Sequence, residues 1–129
     1  MVKIILVSHG TLAQALLETA AKIGSFDTST IDTFSVSDKG SLEALPQNLL
    51  KALGKQGTLI LVDTLGGSSC NTAVQTTQTF DNVKVLCGVN LNMLLAAINN
   101  RDKMDLVSLA DKVLQDGRKS LVDISERLK

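Results

Sequence analysis

Flat rings are nearly absent from this chain, which has three Phe, no Trp and no Tyr among 129 residues. Stacking platforms for single-stranded nucleic acid and aromatic sugar-binding surfaces both need such rings, so neither is expected and the core must be aliphatic. Net charge is absent as well. Thirteen basic and thirteen acidic side chains cancel, which removes the positive field that draws a protein to a phosphate backbone, and nucleic acid is not an expected partner. Cys70 and Cys87 form no metal-ligand spacing and the single histidine, His9, is far from either, so zinc is unsupported. Both are expected as reduced thiols, Cys87 buried in a strand. No apolar run approaches the roughly 20 residues that span a bilayer. The run Ile4 to Val7 is too short for a signal peptide, so a cytoplasmic protein without membrane insertion is expected. Neither a Gly-x-x-x-x-Gly-Lys-Ser/Thr loop nor a Gly-x-Gly-x-x-Gly turn is found after the first strand, so no nucleotide cofactor is expected.

What remains is a globular composition, 44% hydrophobic and 20% charged, with one proline, long enough for one domain with its own core. Val2 to Val7 is a continuous aliphatic run stopped by Ser8, His9 and Gly10, the pattern of a strand buried on both faces. From Thr11 to Ile23 the apolar residues Leu12, Ala15, Leu16, Ala20 and Ile23 recur at helical spacing, with Gly24 at the cap. The unit then repeats. A strand over Ile31 to Val36 precedes a helix from about Ser41 to Leu53, and a strand over Thr58 to Val62 precedes a helix over Cys70 to Thr79. A strand over Val83 to Val89 leads to helices over Leu91 to Asn99 and Leu106 to Leu114. In the tail after Ser120, Leu121, Val122 and Ile124 suit either a continued helix or a short strand. Alternating strands and helices predict an α/β fold: an open, mainly parallel four-stranded sheet, order 2-1-3-4, with helices on both faces. One domain over residues 1–129 is expected.

In such a sheet the ligand crevice lies beyond the carboxyl ends of the strands, where the strand order reverses. The first strand ends in Ser8, His9, Gly10 and the third in Asp63, Thr64, Leu65, Gly66, Gly67, Ser68, so the order 2-1-3-4 sets His9 against Asp63. A carboxylate that accepts the N–H of one ring nitrogen fixes the tautomer and leaves the other nitrogen bare to attack. If the ring takes up a phosphoryl group, the same carboxylate steadies its positive character while the phosphoryl oxygens need donors. Gly66 and Gly67 can turn backbone N–H groups towards an anion, Ser68 adds a hydroxyl, and the helices after Ser68 and after Gly10 present positive ends. Each feature alone has a plainer reading: a polar loop histidine, a capping aspartate, a tight turn. Together they define an anion or phosphate site with a histidine. Arg101-Asp102-Lys103 and Arg118-Lys119 read as solvated helix ends, with Arg101 also a candidate for a partner-facing rim.

Three ordered segments carry a resemblance: Ser8-His9-Gly10, then Leu61 to Ser68 with Asn71 and Ala73, then Gly88-Val89-Asn90-Leu91-Asn92-Met93-Leu94. Over nearly its whole length the chain resembles the IIA component of the mannose-type (mannose/fructose/sorbose) branch of the bacterial phosphoenolpyruvate-dependent sugar phosphotransferase system. Gly117-Arg118 is similar to the family's end of the last helix. The resemblance implies a phosphotransferase with a covalent phosphohistidine, in which His9 accepts a phosphoryl group through Nε2 from the histidine-containing phosphocarrier protein and passes it to a IIB component during carbohydrate uptake. It implies that Asp63 orients and stabilises His9, and that Gly10, Thr64, Gly66, Gly67 and Ser68 bind the phosphoryl oxygens, with no metal and no cofactor. It also implies a homodimer in which a fifth, antiparallel strand from the C-terminus is exchanged, and association with a membrane permease only through IIB. Ser69 and Asn92 stand where the family usually has proline, which pre-sets a helix start. Two other roles fit the same residues: the phosphoryl-donor subunit of a dihydroxyacetone kinase, and a module that binds partners according to its phosphorylation state.

Overall fold

The computed structural model describes residues 1–127. Strands β1 (Lys3–His9), β2 (Ile31–Val36), β3 (Thr58–Val62) and β4 (Val83–Cys87) form one sheet in the order β2-β1-β3-β4, every neighbouring pair parallel. The expected order 2-1-3-4 is the observed one. Around it lie α1 (Leu12–Ile23), α2 (Lys39–Ala52), α3 (Ser68–Thr77), α4 (Leu91–Asn100), α5 (Leu106–Lys119) and the short α6 (Ile124–Arg127).

The alternation of β1 explains why its sequence is continuously apolar. Ile4 and Leu6 pack with α1, α4 and α5 on one face of the sheet, while Ile5 and Val7 pack with Leu45 and Leu49 of α2 and with Cys70 and Ala73 of α3 on the other. A strand covered on both sides favours apolar residues on both faces, and its buried polar ones, Ser8 in β1 and Thr58 in β3, have hydrogen-bonded hydroxyls. All five residues of β3 are buried for the same reason.

Helix α1 buries Ala13, Leu17 and Ala20, so that of the stripe expected through Leu12, Ala15, Leu16, Ala20 and Ile23 only Ala20 is buried. Leu12 and Ile23 are exposed, Ala15 is exposed and Leu16 is half-buried. The segment is apolar around most of its circumference, so periodicity admits two faces one residue apart. A polar contact selects between them, because the buried Ser8 hydroxyl accepts the Ala13 N–H at 2.7 Å and turns Ala13 towards the sheet. Ser8→Ala leaves that amide without its acceptor and is expected to cost about 1–2 kcal/mol, read as a lowered urea midpoint with an unchanged slope.

Two expectations about charged and tail residues are corrected. Arg101 is buried, its Nε donating to the Val2 carbonyl at 2.9 Å and Nη1 to Thr30 Oγ1 at 3.0 Å, at the opposite end of β1 from His9. It ties the end of α4 to the start of the sheet, neither solvated nor on a rim near His9. Helix α5 runs on past Leu114 to Lys119, with Arg118 and Lys119 in its last turn, where cations complement the helix dipole. Among the described residues beyond it, 121–123 are irregular and Ile124–Arg127 is helical, so no fifth strand is seen there. Lys129 and its neighbour at 128, the end of the tail expected as helix or strand, lie outside the described residues.

Candidate functional site

The ladder between β1 and β3 stops at Val7 and Val62, and the next residues of each chain build the site. Asp63 N–H still donates to the Val7 carbonyl, at 3.2 Å, which aims its side chain back across the end of β1. There Asp63 Oδ2 accepts both the backbone N–H of His9 at 2.9 Å and the ring, whose Nδ1 lies 2.8 Å away. The carboxylate continues the ladder where the backbone has left it, and in doing so fixes the imidazole. Asp63 Oδ1 accepts the Thr64 N–H at 2.9 Å and the Ser69 hydroxyl at 3.1 Å.

Four donors thus converge on one side chain that is only 7% exposed. Burial pushes the Asp63 carboxyl up, but the hydrogen bonds from the His9 amide and ring, Ser69 and the Thr64 amide outweigh it and hold the group below the usual carboxylate range. The His9 side chain is 52% exposed. With Nδ1 facing the carboxylate, the proton belongs on Nδ1 and the lone pair on Nε2, which among the described residues has no hydrogen-bond partner.

The turn after Asp63 closes over the ring. Gly66 has φ +78°, a left-handed conformation that only glycine adopts without strain. Gly67 approaches closely: a Cβ there lies 2.8 Å from Thr64 Oγ1 and 3.5 Å from His9 Cε1, so the backbone passes beside the ring carbon that lies between the two nitrogens. Gly67 is also the N-cap of α3, with no side chain capping the turn and no acidic residue in it. The first amides of α3, beginning at Ser68, therefore keep their capacity to donate to an anion. Gly10 follows the ring directly, also with positive φ, and its carbonyl accepts the Ser35 hydroxyl. The structure thus gathers His9, Asp63, Thr64, Gly66, Gly67 and Ser68 at one rim, with Gly10 opening the loop into α1.

Ser69, expected only as a stand-in for the family's proline, belongs to the site. Proline at this position has no hydroxyl, whereas Ser69 is fully buried and holds Asp63 Oδ1. Its only sequence signal is a hydroxyl residue in the first turn of the helix that follows the aspartate. Asn92 disturbs nothing at the start of α4, because Asn90 caps that helix by accepting the Met93 N–H at 2.9 Å. The cysteines are a further correction. Cys70 Sγ and Cys87 Sγ are bonded as a disulfide, not free thiols, because the β3-α3-β4 crossover lays the first turn of α3 over the end of β4. Cys87 is the last residue of β4 and only half-buried.

Residues 3–114 match the family model EIIA-man, described as the PTS (phosphotransferase system) fructose IIA component. The chain belongs to this IIA family. Among curated relatives, the PTS system mannose-specific EIIAB component of Escherichia coli (strain K12) is 32% identical over 127 residues, covering 93% of this chain. The chain spans 39% of the length of that relative. Among solved structures, the phosphotransferase system component EIIA from Streptococcus agalactiae superposes with a TM-score of 0.89 at 27% identity, over 98% of this chain and 99% of the other. The mannose/sorbose specific IIA subunit from Enterococcus faecalis gives 0.78 at 28% identity, over 95% and 93%. IIA components are phosphotransferase proteins of sugar uptake systems, and no helix among the described residues is long and apolar enough to cross a membrane.

Proposed function

We propose that residues 1–129 act as one IIA phosphocarrier unit in which His9 Nε2 accepts a phosphoryl group from the histidine-containing phosphocarrier protein and hands it to a IIB component. The observation that carries this reading is the 2.8 Å contact between His9 Nδ1 and Asp63 Oδ2, which leaves the opposite ring nitrogen facing solvent beside Gly67 and the uncapped start of α3. In the transfer, Nε2 forms a bond to phosphorus as the donor's P–N bond breaks. The imidazole of His9 gains positive character, and the ionised Asp63 stabilises it through Nδ1–H. The amides of Gly67 and Ser68, the Ser68 hydroxyl and the turn through Thr64 and Gly66 hold the phosphoryl oxygens, with Gly10 and the start of α1 on the other side. No residue needs to bind a metal or cofactor for this exchange. The carrier works in the cytoplasm and meets the membrane permease through IIB. Exposed Leu121, Val122 and Ile124 leave an apolar tail after α5 that a second copy covers in a homodimer.

The decisive experiment loads the chain with labelled phosphoryl groups from the carrier protein, removes the donor and adds a IIB protein. Transfer of the label to IIB is expected. Label that stays on the chain indefinitely favours the regulatory role, and label passed only to a nucleotide-binding kinase subunit favours the dihydroxyacetone branch. Within this reading Ser69→Ala leaves Asp63 Oδ1 with the Thr64 amide alone and is expected to slow phosphorylation roughly ten-fold, the equivalent of about 1.4 kcal/mol, in a single-turnover assay.

A further inference from the structure

The Cys70–Cys87 bridge joins the two segments that flank Asp63. Cys70 lies in the first turn of α3, next to Ser69, the hydroxyl donor to Asp63. Cys87 ends β4 in register with Val62, and the two amides after it, Gly88 and Val89, both donate to the Val62 carbonyl at 2.9 and 3.0 Å. The Cα atoms are 6.8 Å apart. The covalent link therefore holds the start of α3, and with it the Ser69–Asp63 hydrogen bond and the amides beside His9, against the strand that fixes the end of β3.

The two sulfurs differ in access. Cys70 is 4% exposed and packed among Ile5, Val7, Val62 and Ala73. Cys87 is half-buried at the end of the edge strand β4, on the same face as Val83 and Val85 and against the first turn of α3. A small reagent arriving from solvent meets the half-buried Cys87 first and leaves Cys70 to resolve.

We propose that Cys70 and Cys87 are a reversible dithiol–disulfide pair that tunes the phosphoryl site, bridging holding the site assembled and reduction loosening it. This rests on the reading of His9 as the phosphoryl acceptor. The co-reactant is a small-molecule disulfide of the glutathione class. The Cys87 thiolate attacks one of its sulfurs, forming a mixed disulfide and expelling one thiolate. The Cys70 thiol then loses its proton to solvent and attacks the Cys87 sulfur, expelling the second. Two protein thiols are oxidised by two electrons, one small disulfide is reduced to two thiols, and reduction runs the same steps backwards.

The test poises the full chain in mixtures of reduced and oxidised glutathione, counts free thiols by alkylation and mass spectrometry, and follows single-turnover phosphorylation in each state. The expected result is complete interconversion without unfolding, with phosphorylation about five-fold faster in the bridged form, a size usual for coupling through positioning contacts. Cys70→Ala should trap a glutathione adduct on Cys87, Cys87→Ser should trap none on Cys70, and the double variant should phosphorylate at one rate in every buffer. A pair that stays bridged in excess reduced glutathione, or stays open in excess oxidised glutathione, overturns the proposal. So do equal rates in the two forms. No phosphorylation in either form overturns the His9 reading and the tuning together, whereas equal non-zero rates overturn only the tuning.

Discussion

His9→Gln abolishes formation of the phosphoprotein while leaving the chain folded. The ring is half exposed and its polar contacts run to Asp63 alone, so glutamine, whose amide can still donate to the carboxylate, removes little packing. The stability change is expected within about 1 kcal/mol, as at other exposed positions. No second histidine exists to take over. After incubation with phosphoenolpyruvate, the general phosphotransferase enzyme and the carrier protein, the wild type gains the mass of one acid-labile phosphoryl group and the variant gains none. A variant that gains the same labile group places the acceptor elsewhere.

Asp63→Asn tests the orienting group with almost no change of shape. The amide keeps one acceptor oxygen but turns the other position into a donor. Of the four hydrogen bonds the carboxylate accepts, from His9 N–H, His9 Nδ1, Thr64 N–H and Ser69 O–H, those on one oxygen are lost. If the amide nitrogen faces Nδ1, it donates to the ring and drives the proton onto Nε2, the nitrogen that must be bare. Inverting a tautomer and removing a negative charge in this way costs between about 10² and 10⁴ in rate. Stability falls too, and its pH dependence has a defined sign. The folded-state value of Asp63 lies below the ordinary one, so the unfolded chain binds the proton more readily. The carboxylate's contribution is complete above the ordinary carboxylate value and drains away as pH falls through it towards the lower folded one. Urea midpoints of wild type and Asp63→Asn should therefore differ at neutral pH and converge on acidification below the usual carboxylate range. A gap that widens in acid contradicts the account.

The sheet was legible because its signals were local and repeated. Ile31–Val36 and Thr58–Val62 stand at their expected bounds, each an apolar run between polar turns, and alternation with helices gives a parallel sheet. Helix ends were harder where glycine was not a stop. Gly40 lies inside α2, whose start is drawn back to Lys39 by Asp38 and Ser41 in a reciprocal capping box. Gly117 lies inside α5 because Met93 of α4 occupies the space a side chain needs, with Met93 Cγ only 2.5 Å from a Cβ placed there. Both depend on contacts that no window of sequence displays. The same holds at the site. His9 and the Asp63 loop announce themselves by residue type at strand ends, but the Ser69 hydroxyl and the Cys70–Cys87 bond appear only once the crossover has folded α3 over the sheet. The charge of Arg101 gave no sign that Val2 and Thr30 enclose it.

Nitrogen NMR of the phosphorylated, ring-labelled protein addresses the central claim most directly, since one histidine gives one pair of ring signals. The account predicts a phosphorus-coupled Nε2 and an Nδ1 that remains protonated and hydrogen-bonded, with that proton lost from view in Asp63→Ala. Phosphorus coupled to Nδ1, or an unmodified ring in a phosphorylated chain, would contradict it.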